Sequence, residues 1–441
     1  MTERKKERIA IVIVHGMGEQ RPMDTLRSFV DGIHHQMVKI DSRESKSKIR
    51  SKPDSIGDIY ETTRMSLESN FETKRPIVDF YEFYWAHNMR GTEFSNTFTW
   101  LKKVALTWVS RVPPRLKQVW YTVWTIFLIV FVLVYFLFPY IQYFKELAKI
   151  VASVFAGAVV TFIWTYFAKF LKASFLKSLG DVARYMTPAP DNIAERSTIR
   201  RQGITFLKKL HSINNRKSPT RIMVVAHSLG TVVAYDLLRL LWTEYNISYG
   251  KPRKTKQSAL AALNVFALDP EIIAKDDFSL FKDAQRRCFD EARDLGNPWL
   301  ISDFITLGAA VYALDYLTVN KVSSDVLKTE RELPVCPPQI DEKDKAFFFK
   351  GHYQLPDSEN FVDLNVMHHG ALFGPTRWTN IFYSSDFVGG PMQRIFGKGV
   401  EDICIKRSSF WFYPGGHLAY WNKEDKNNAL AEIVKALRLG E

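Results

Sequence analysis

The sequence is poor in cysteine, with 3 in 441 residues, namely Cys288, Cys336 and Cys404. They lie far apart and form no CxxC pair, so neither a zinc site nor a disulfide framework is predicted. This cysteine usage fits a reducing compartment. The phosphate-binding patterns G-x-x-x-x-G-K-[ST] and G-x-G-x-x-G are also missing. The sequence therefore predicts no cofactor and no metal.

Negative charge is in deficit, because 60 Lys and Arg oppose 47 Asp and Glu and give a net charge of +13. Such an excess suits nucleic acid, an anionic membrane surface or an acidic substrate. No helix-turn-helix, zinc-finger or aromatic-sheet signature occurs, so nucleic acid is not an expected partner. The hydrophobic content of 46% supplies a packed core and excludes disorder of the whole chain.

Two long stretches lack Asp, Glu, Lys and Arg altogether: 26 residues at 119–144 and 19 residues at 150–168. About 20 apolar residues in a helix cross a bilayer core. Trp120 and Trp164 lie near their ends, as in interfacial aromatic belts. The alternative is a pair of buried core helices, but these are rarely uncharged on every face over such a length. We therefore predict a two-helix transmembrane hairpin.

Basic residues flank both uncharged stretches and are scarce in the turn between them. The positive-inside rule then predicts a multi-pass membrane protein, with both long flanks and the catalytic domain in the cytoplasm and with membrane lipids as partners. Residues 1–8 are polar, so no cleavable signal peptide is predicted. Three parts are expected: 1–100 as the first part of a soluble domain, 101–180 as the hairpin with basic flanks, and 181–441 as the remainder of that domain.

Outside the hairpin, β-branched runs alternate with amphipathic runs. Strands are predicted over 8–14, 77–85, 222–226, 304–307, 378–383 and 403–412, and helices over 23–37, 199–210, 231–242 and 428–439. This alternation predicts an α/β fold with a mostly parallel sheet flanked by helices. Residues 40–58 and 246–257 are predicted to be loops, and the Pro-rich stretch 321–377 receives no assignment.

The most specific motif is Ala226-His227-Ser228-Leu229-Gly230, which lies between a predicted strand and a predicted helix. A sharp strand–turn–helix connection with small residues around the serine lifts its Oγ clear of the sheet. The usual pattern is G-x-S-x-G, and Ala226 is the small residue at its first position. Ser228 is therefore the predicted nucleophile.

A serine hydroxyl needs a base, and the base needs an acid that orients it. In the α/β-hydrolase arrangement the chain order is serine, acid, histidine. His417 follows the last predicted strand and is the expected base. His352, His368 and His369 also follow Ser228, but they precede the last strands.

The acid should lie in the loop after the preceding strand. Asp386 follows the predicted strand 378–383 and is the expected acid, with Asp363 and Asp402 as alternatives. The alternative interpretation of Asp386 is a solvated loop aspartate or one that only shapes a turn. For the oxyanion, the expected donors are the backbone N–H groups of Leu229, after the nucleophile, and of Met17, in the glycine-rich loop after the first strand.

These segments, from His15-Gly16-Met17-Gly18 through Ala226-His227-Ser228-Leu229-Gly230 and Asp386 to His417, resemble bacterial lipase/esterase-like α/β-hydrolases. The resemblance covers 8–100 and 200–441. It implies an α/β-hydrolase fold, here interrupted by the transmembrane hairpin, and an acyl-enzyme mechanism on esters.

The function expected from the sequence is a membrane-anchored serine hydrolase that cleaves acyl esters, with a lipid or phospholipid as substrate. Amide or thioester cleavage by the same three residues remains open, because the leaving groups share one mechanism. The alternative from another class is a non-catalytic membrane module for binding or signalling, since fold does not fix function.

Overall fold

The computed structural model divides the protein into two compact units. The first comprises Met1–Asn88, Ile193–Asp315 and Asn320–Glu441, and the second comprises Met89–Asn192 and Tyr316–Val319. The structure describes residues 7–16, 21–56, 61–68, 75–88, 106–112, 117, 120–121, 124–125, 127–129, 131–132, 135–136, 185, 190–215, 217–253, 256–275, 278–309, 324–356, 358–386, 388–406, 417–424 and 428–439. The predicted nucleophile, acid and base all belong to the first unit.

The first unit is built on a sheet of eight strands, accompanied by a two-stranded hairpin. The ten strands are β1 (Arg8–Val14), β2 (Lys48–Pro53), β3 (Thr63–Glu68), β4 (Ile77–Phe83), β5 (Arg221–His227), β6 (Ile301–Leu307), β7 (Phe348–Gln354), β8 (Phe361–Met367), β9 (Arg377–Tyr383) and β10 (Glu401–Ile405). The large sheet has the order β2-β3-β4-β1-β5-β6-β9-β10, and β7 pairs with β8. The strands from β4 to β10 in that order run parallel, and β3 is antiparallel to both of its neighbours.

The central strands are buried along nearly their whole length. β5 is buried at every position, and β1 is buried from Ile9 to Val14. Continuous β-branched runs of this kind are typical of parallel strands covered on both faces. The carboxyl ends of these strands meet at one edge of the sheet, which is where an α/β fold gathers functional groups.

Helices cover both faces of the sheet. They are α1 (Asp24–Ile40), α2 (Pro190–His211), α3 (Gly230–Tyr245), α4 (Ser258–Leu268), α5 (Glu271–Lys275), α6 (Phe278–Asp294), α7 (Ser324–Thr329), α8 (Gln393–Phe396) and α9 (Ala429–Leu437). Ile11 of β1 shares a buried cluster with Phe29 of α1 and Ile433 of α9. Its neighbour Val12 faces the other way and lines a small cavity with Leu237 of α3. Alternate strand residues point to opposite faces, so one strand serves both layers.

The predicted mixed α/β architecture with a mostly parallel sheet is confirmed, and each predicted strand and helix overlaps an observed one. β10 ends at Ile405, earlier than the predicted 412, and residues 407–416 lie outside the described part of the chain. The prediction of a loop over 40–58 is wrong, because β2 lies there at the edge of the sheet. Its sequence is polar and mostly exposed, so it lacks the apolar signal of a core strand.

The stretches without an assignment also contain regular structure. α4, α5 and α6 lie between β5 and β6, while α7 and the β7–β8 hairpin lie between β6 and β9. The hairpin has its own apolar cluster, formed by Tyr249, Leu295, Val362, Leu364 and Val366.

The predicted membrane location is contradicted. Among the residues that the structure describes, no helix is long and apolar enough to span a bilayer. The first predicted span, 119–144, has only scattered described positions between 120 and 136, and the second, 150–168, lies outside the described residues. The prediction rested mainly on apolar length, with aromatic and basic residues at the ends of the stretches as further support. Apolar length is necessary for a spanning helix but does not establish one. The multi-pass topology and the cytoplasmic placement of the catalytic domain depended on this location, so both predictions are withdrawn with it.

Candidate active site

Ser228 occupies a sharp turn between β5 and α3. Its φ is 53°, in the left-handed region that side chains other than glycine rarely adopt. Its backbone N–H donates to the carbonyl of Leu307 at 3.0 Å, and its carbonyl accepts the Thr231 hydroxyl at 2.6 Å. The surrounding structure thus holds a strained backbone in place. Strain of this kind between a strand and a helix is typical of a nucleophile elbow.

Two glycines make room for this turn. A Cβ at Gly230 would lie 2.3 Å from the carbonyl oxygen of His15, and a Cβ at Gly16 would lie 2.8 Å from the Cβ of Ser228. Real Cβ atoms do not approach so closely, so neither position accepts a larger residue without movement. The loop after β1 and the turn after β5 therefore pack backbone against backbone beside Ser228.

The structure brings the three residues expected to form the catalytic set together. Ser228 Oγ lies 2.8 Å from His417 Nε2, and His417 Nδ1 lies 2.9 Å from Asp386 Oδ2. All three are buried, with exposed fractions of 6%, 7% and 1%. They follow three parallel strands, β5, β9 and β10, whose carboxyl ends lie at one edge of the sheet.

The Asp386 carboxylate is held by several donors. Oδ2 accepts His417 Nδ1 and the Tyr420 hydroxyl, while Oδ1 accepts the backbone N–H groups of Val388 and Gly389. Burial acts to raise the pKa of Asp386, but the charge and hydrogen bond of His417, together with hydrogen bonds from Tyr420 and Gly389, outweigh it and keep the pKa well below its usual range. The carboxylate is therefore ionised and acts as an acceptor.

This contact fixes the tautomer of His417. An ionised carboxylate can only accept, so Nδ1 carries the proton that is donated to Asp386. Nε2 then presents its lone pair to the Ser228 hydroxyl, 2.8 Å away. This is the arrangement in which an imidazole takes a proton from a serine as that serine attacks an electrophile.

His227, next to the nucleophile, also contacts the segment that carries the base. Its Nε2 lies 2.8 Å from the backbone carbonyl oxygen of His417. A carbonyl only accepts, so Nε2 is protonated and donates. Burial, together with the nearby His417, lowers the pKa of His227 to about 3, so its ring is neutral near pH 7.

Of the two predicted oxyanion donors, Leu229 lies in the described part of the chain and Met17 does not. Leu229 directly follows the nucleophile at the N-cap of α3, where backbone N–H groups lack intrahelical acceptors. Met17 lies outside the described residues. In the loop before it, His15 Nδ1 lies 2.7 Å from the Gly16 carbonyl oxygen, and the backbone N–H of Trp85 approaches His15 Nε2 at 3.3 Å.

The structure places the alternative acids and bases away from Ser228. Asp363 pairs with His352 at 2.8 Å on the exposed β7–β8 hairpin. Asp402 accepts the side chain of Asn380 at 2.7 Å and the N–H groups at the start of α8. His368 contacts the carbonyl of Gln339 at 2.7 Å. Each of these residues thus has a structural partner of its own. His369 lies beside His368, and the contacts that join Ser228, His417 and Asp386 do not involve it.

Sequence reasoning missed two residues beside the acid. Tyr420 donates its hydroxyl to Asp386, and Gly308 lies so close that a Cβ there would be 2.7 Å from Asp386 Oδ2. Gly308 directly follows β6 and has a φ of +54°, which a glycine after a predicted strand could have signalled. Tyr420 falls three residues after His417 in an irregular segment, and no spacing rule points to it.

Comparisons of the chain with protein-family models, with curated proteins and with solved structures give no match. The resemblance to lipase/esterase-like proteins therefore stays an inference from the motifs. Within the described residues, no group of three or more His, Cys, Asp or Glu side chains is arranged to hold a metal ion.

Proposed function

We propose that the protein is a serine hydrolase that cleaves acyl esters through an acyl-enzyme intermediate. The observation that carries this proposal is the chain of contacts from Ser228 Oγ to His417 Nε2 at 2.8 Å and from His417 Nδ1 to Asp386 Oδ2 at 2.9 Å. The left-handed φ of Ser228 supports it, because a serine in such a conformation between a strand and a helix is what a nucleophile elbow requires.

The proposed reaction has two halves. Ser228 Oγ attacks the acyl carbon while its proton passes to His417 Nε2, and the imidazolium then protonates the departing alkoxide. A water molecule next attacks the acyl-enzyme and gives its proton to His417, and the imidazolium returns this proton to Ser228 Oγ as the carboxylic acid leaves. Asp386 stabilises the imidazolium in both halves and remains ionised. The Leu229 N–H is the proposed donor to the oxyanion, with Met17 as the second.

The α/β-hydrolase fold belongs to the same proposal. In the sheet order β4-β1-β5-β6-β9-β10, the serine follows β5, the acid follows β9 and the base follows β10. The chain order serine, acid, histidine is the one that this fold uses. The antiparallel β3 and the edge strand β2 extend the sheet beyond β4.

The proposed substrate class is the acyl ester in general. The narrower expectation of a lipid ester rested on the membrane location, which the described helices contradict. Matched ester, thioester and amide substrates with one acyl group would separate the leaving groups, and a series of acyl lengths would define the pocket. A Ser228-dependent rate that is highest for the ester would support the proposal as stated.

The first test is labelling of the purified full-length protein with a fluorophosphonate probe, which reacts with a serine that a base and an oxyanion site have activated. We expect labelling of the wild type and a loss of at least a thousandfold in Ser228→Ala, since triad removal typically costs on the order of 10⁴-fold or more. Ser212→Ala, an exposed serine that donates to the Lys209 carbonyl, is the control and should label normally. A folded wild type without labelling would argue for a binding module instead.

A further inference from the structure

The oxygen of Asp386 that faces His417 is shared with a second donor. Oδ2 accepts His417 Nδ1 at 2.9 Å and the Tyr420 hydroxyl at 2.7 Å. The same hydroxyl accepts the backbone N–H of Tyr383 at 3.2 Å. Because a backbone N–H can only donate, the hydroxyl proton of Tyr420 is committed to the carboxylate.

Tyr420 is packed as tightly as a core residue. Its side chain is fully buried, and its ring lies 4.7 Å from that of Tyr383, between centroids. A Cβ at Gly308 would come within 3.0 Å of Asp386 Oδ2, of the Tyr420 ring and of His417 Nδ1. The glycine thus allows the acid, the base and the tyrosine to converge at one point.

We propose that Tyr420 is a positioning residue of the active site, whose hydroxyl orients the Asp386 carboxylate and moderates the negative charge that this carboxylate presents to His417. This inference rests on the proposed serine hydrolase function. Tyr420 acts through Asp386 rather than on the substrate. It also joins the end of β9, where Tyr383 lies, to the segment that carries the base.

The physical basis is competition for one oxygen. A hydrogen bond to a carboxylate disperses its charge and lowers its basicity. Without the hydroxyl, more negative charge faces the His417 ring, and the protonated ring is favoured relative to the neutral one. His227, whose ring lies 5.7 Å from that of Tyr420, and Tyr383 also face this cluster and are titratable. The His227 ring is neutral between pH 5 and pH 9, so its charge does not change over the range in which the His417 effect is measured.

The test measures the second-order rate constant of fluorophosphonate labelling between pH 5 and pH 9. In Tyr420→Phe we expect the midpoint of the acid limb to move to higher pH by about half a unit, which lies at the lower end of what one hydrogen bond contributes on the pKa scale. We also expect a severalfold lower rate on the plateau, because the carboxylate is less well oriented. Tyr235→Phe is the matched control. It loses another buried hydroxyl bond, to the Pro334 carbonyl at 2.8 Å, and should leave the midpoint unchanged.

A second variant keeps the shape of the side chain and so guards against misfolding. Tyr420→3-fluorotyrosine retains the hydroxyl but makes it a stronger donor, so the midpoint should move to lower pH, opposite to the Phe variant. An unchanged midpoint in both variants, or shifts of the same sign, would overturn the inference while leaving the serine hydrolase intact. Absence of Ser228-dependent labelling in the wild type would instead contradict both the serine hydrolase proposal and the role of Tyr420.

Discussion

The carboxylate of Asp386 decides which nitrogen of His417 carries the proton. An asparagine at this position has an amide whose N–H₂ can donate to Nδ1, which would move the ring proton to Nε2 and point it at Ser228. We therefore expect Asp386→Asn to lower ester turnover by about 10³- to 10⁴-fold while Ser228 and His417 stay in place. Steady-state kinetics on a chromogenic ester would measure this loss.

Asp402→Asn is the matched control for that variant. Asp402 is another carboxylate, half-buried, that binds the N–H groups at the start of α8 and the side chain of Asn380. Its replacement should alter stability more than turnover. Equal losses of activity in the two variants would contradict the role proposed for Asp386.

At this scale, the sequence was sufficient to name Ser228, Asp386 and His417, because each follows a strand whose apolar pattern is strong. Their role stays a prediction until the kinetics are measured. Tyr420 and Gly308 were missed because their importance arises from contacts between segments far apart in the chain. Residues 308 and 386 meet only once β6 and β9 pair.

Among the elements, β5 and the segment after β10 are connected through His227. Its Nε2–H donates to the carbonyl of His417, which ties the backbone of the base to the strand that precedes the nucleophile. We expect His227→Leu to lower kcat for a chromogenic ester by about 10- to 100-fold with little change in KM, because misplacement of a catalytic group acts mainly on the chemical step.

His227→Gln distinguishes this link from simple packing. The amide nitrogen of glutamine can reach a position near that of Nε2 and still donate, so this variant should recover most of the lost kcat. If both variants lose the same share of kcat, the lost hydrogen bond to the His417 carbonyl is not the cause. Thermal unfolding of both variants would show whether either loss follows from instability.

The central strands were predictable because burial on both faces imposes continuous apolar runs. The edge of the sheet was not, since β2 is exposed at most positions and carries the sequence KIRSKP. The β7–β8 hairpin was missed for a related reason. Its strand β7 alternates between exposed and half-buried positions over a small local core, so its signal is weak.

The whole molecule carries buried titratable groups whose protonation is linked to folding. Burial, as the largest cause, lowers the pKa of His15, His211 and His368 to about 4 and that of His227 to about 3. Between those values and about 6.5, the unfolded chain binds protons that the folded chain does not, so stability is lost as the pH falls. Burial also raises the pKa of Glu82 to about 7, which has the opposite sign: its contribution is lost as the pH rises through 7.

Four histidines against one glutamate give a net uptake of roughly 3 protons on unfolding near pH 5. Urea unfolding at several pH values would measure this uptake as the slope of the unfolding free energy, at about 1.4 kcal/mol per pH unit for each proton. We expect His368→Gln to reduce the slope by about one proton and Glu82→Gln to increase it by about one. A slope that neither variant changes would contradict this linkage.

The largest error of the sequence reasoning also belongs to this scale. Uncharged length at 119–144 and 150–168 predicted a hairpin across a bilayer, and no described helix meets the requirement. Composition reports how apolar a segment is but not which continuous helix it forms. The parallel sheet was predicted correctly because its evidence came from several independent strands that agreed.

The nucleophile and the base are separated by 189 positions in the chain. At a synthesis rate of 5–20 residues per second, His417 is added roughly 10 to 40 s after Ser228. During that interval the growing chain holds a serine with no partner to activate it. The proposed reactivity therefore arises only when β9 and β10 have joined the sheet, so the proposal implies that an incompletely made chain neither acylates itself nor attacks esters in its surroundings.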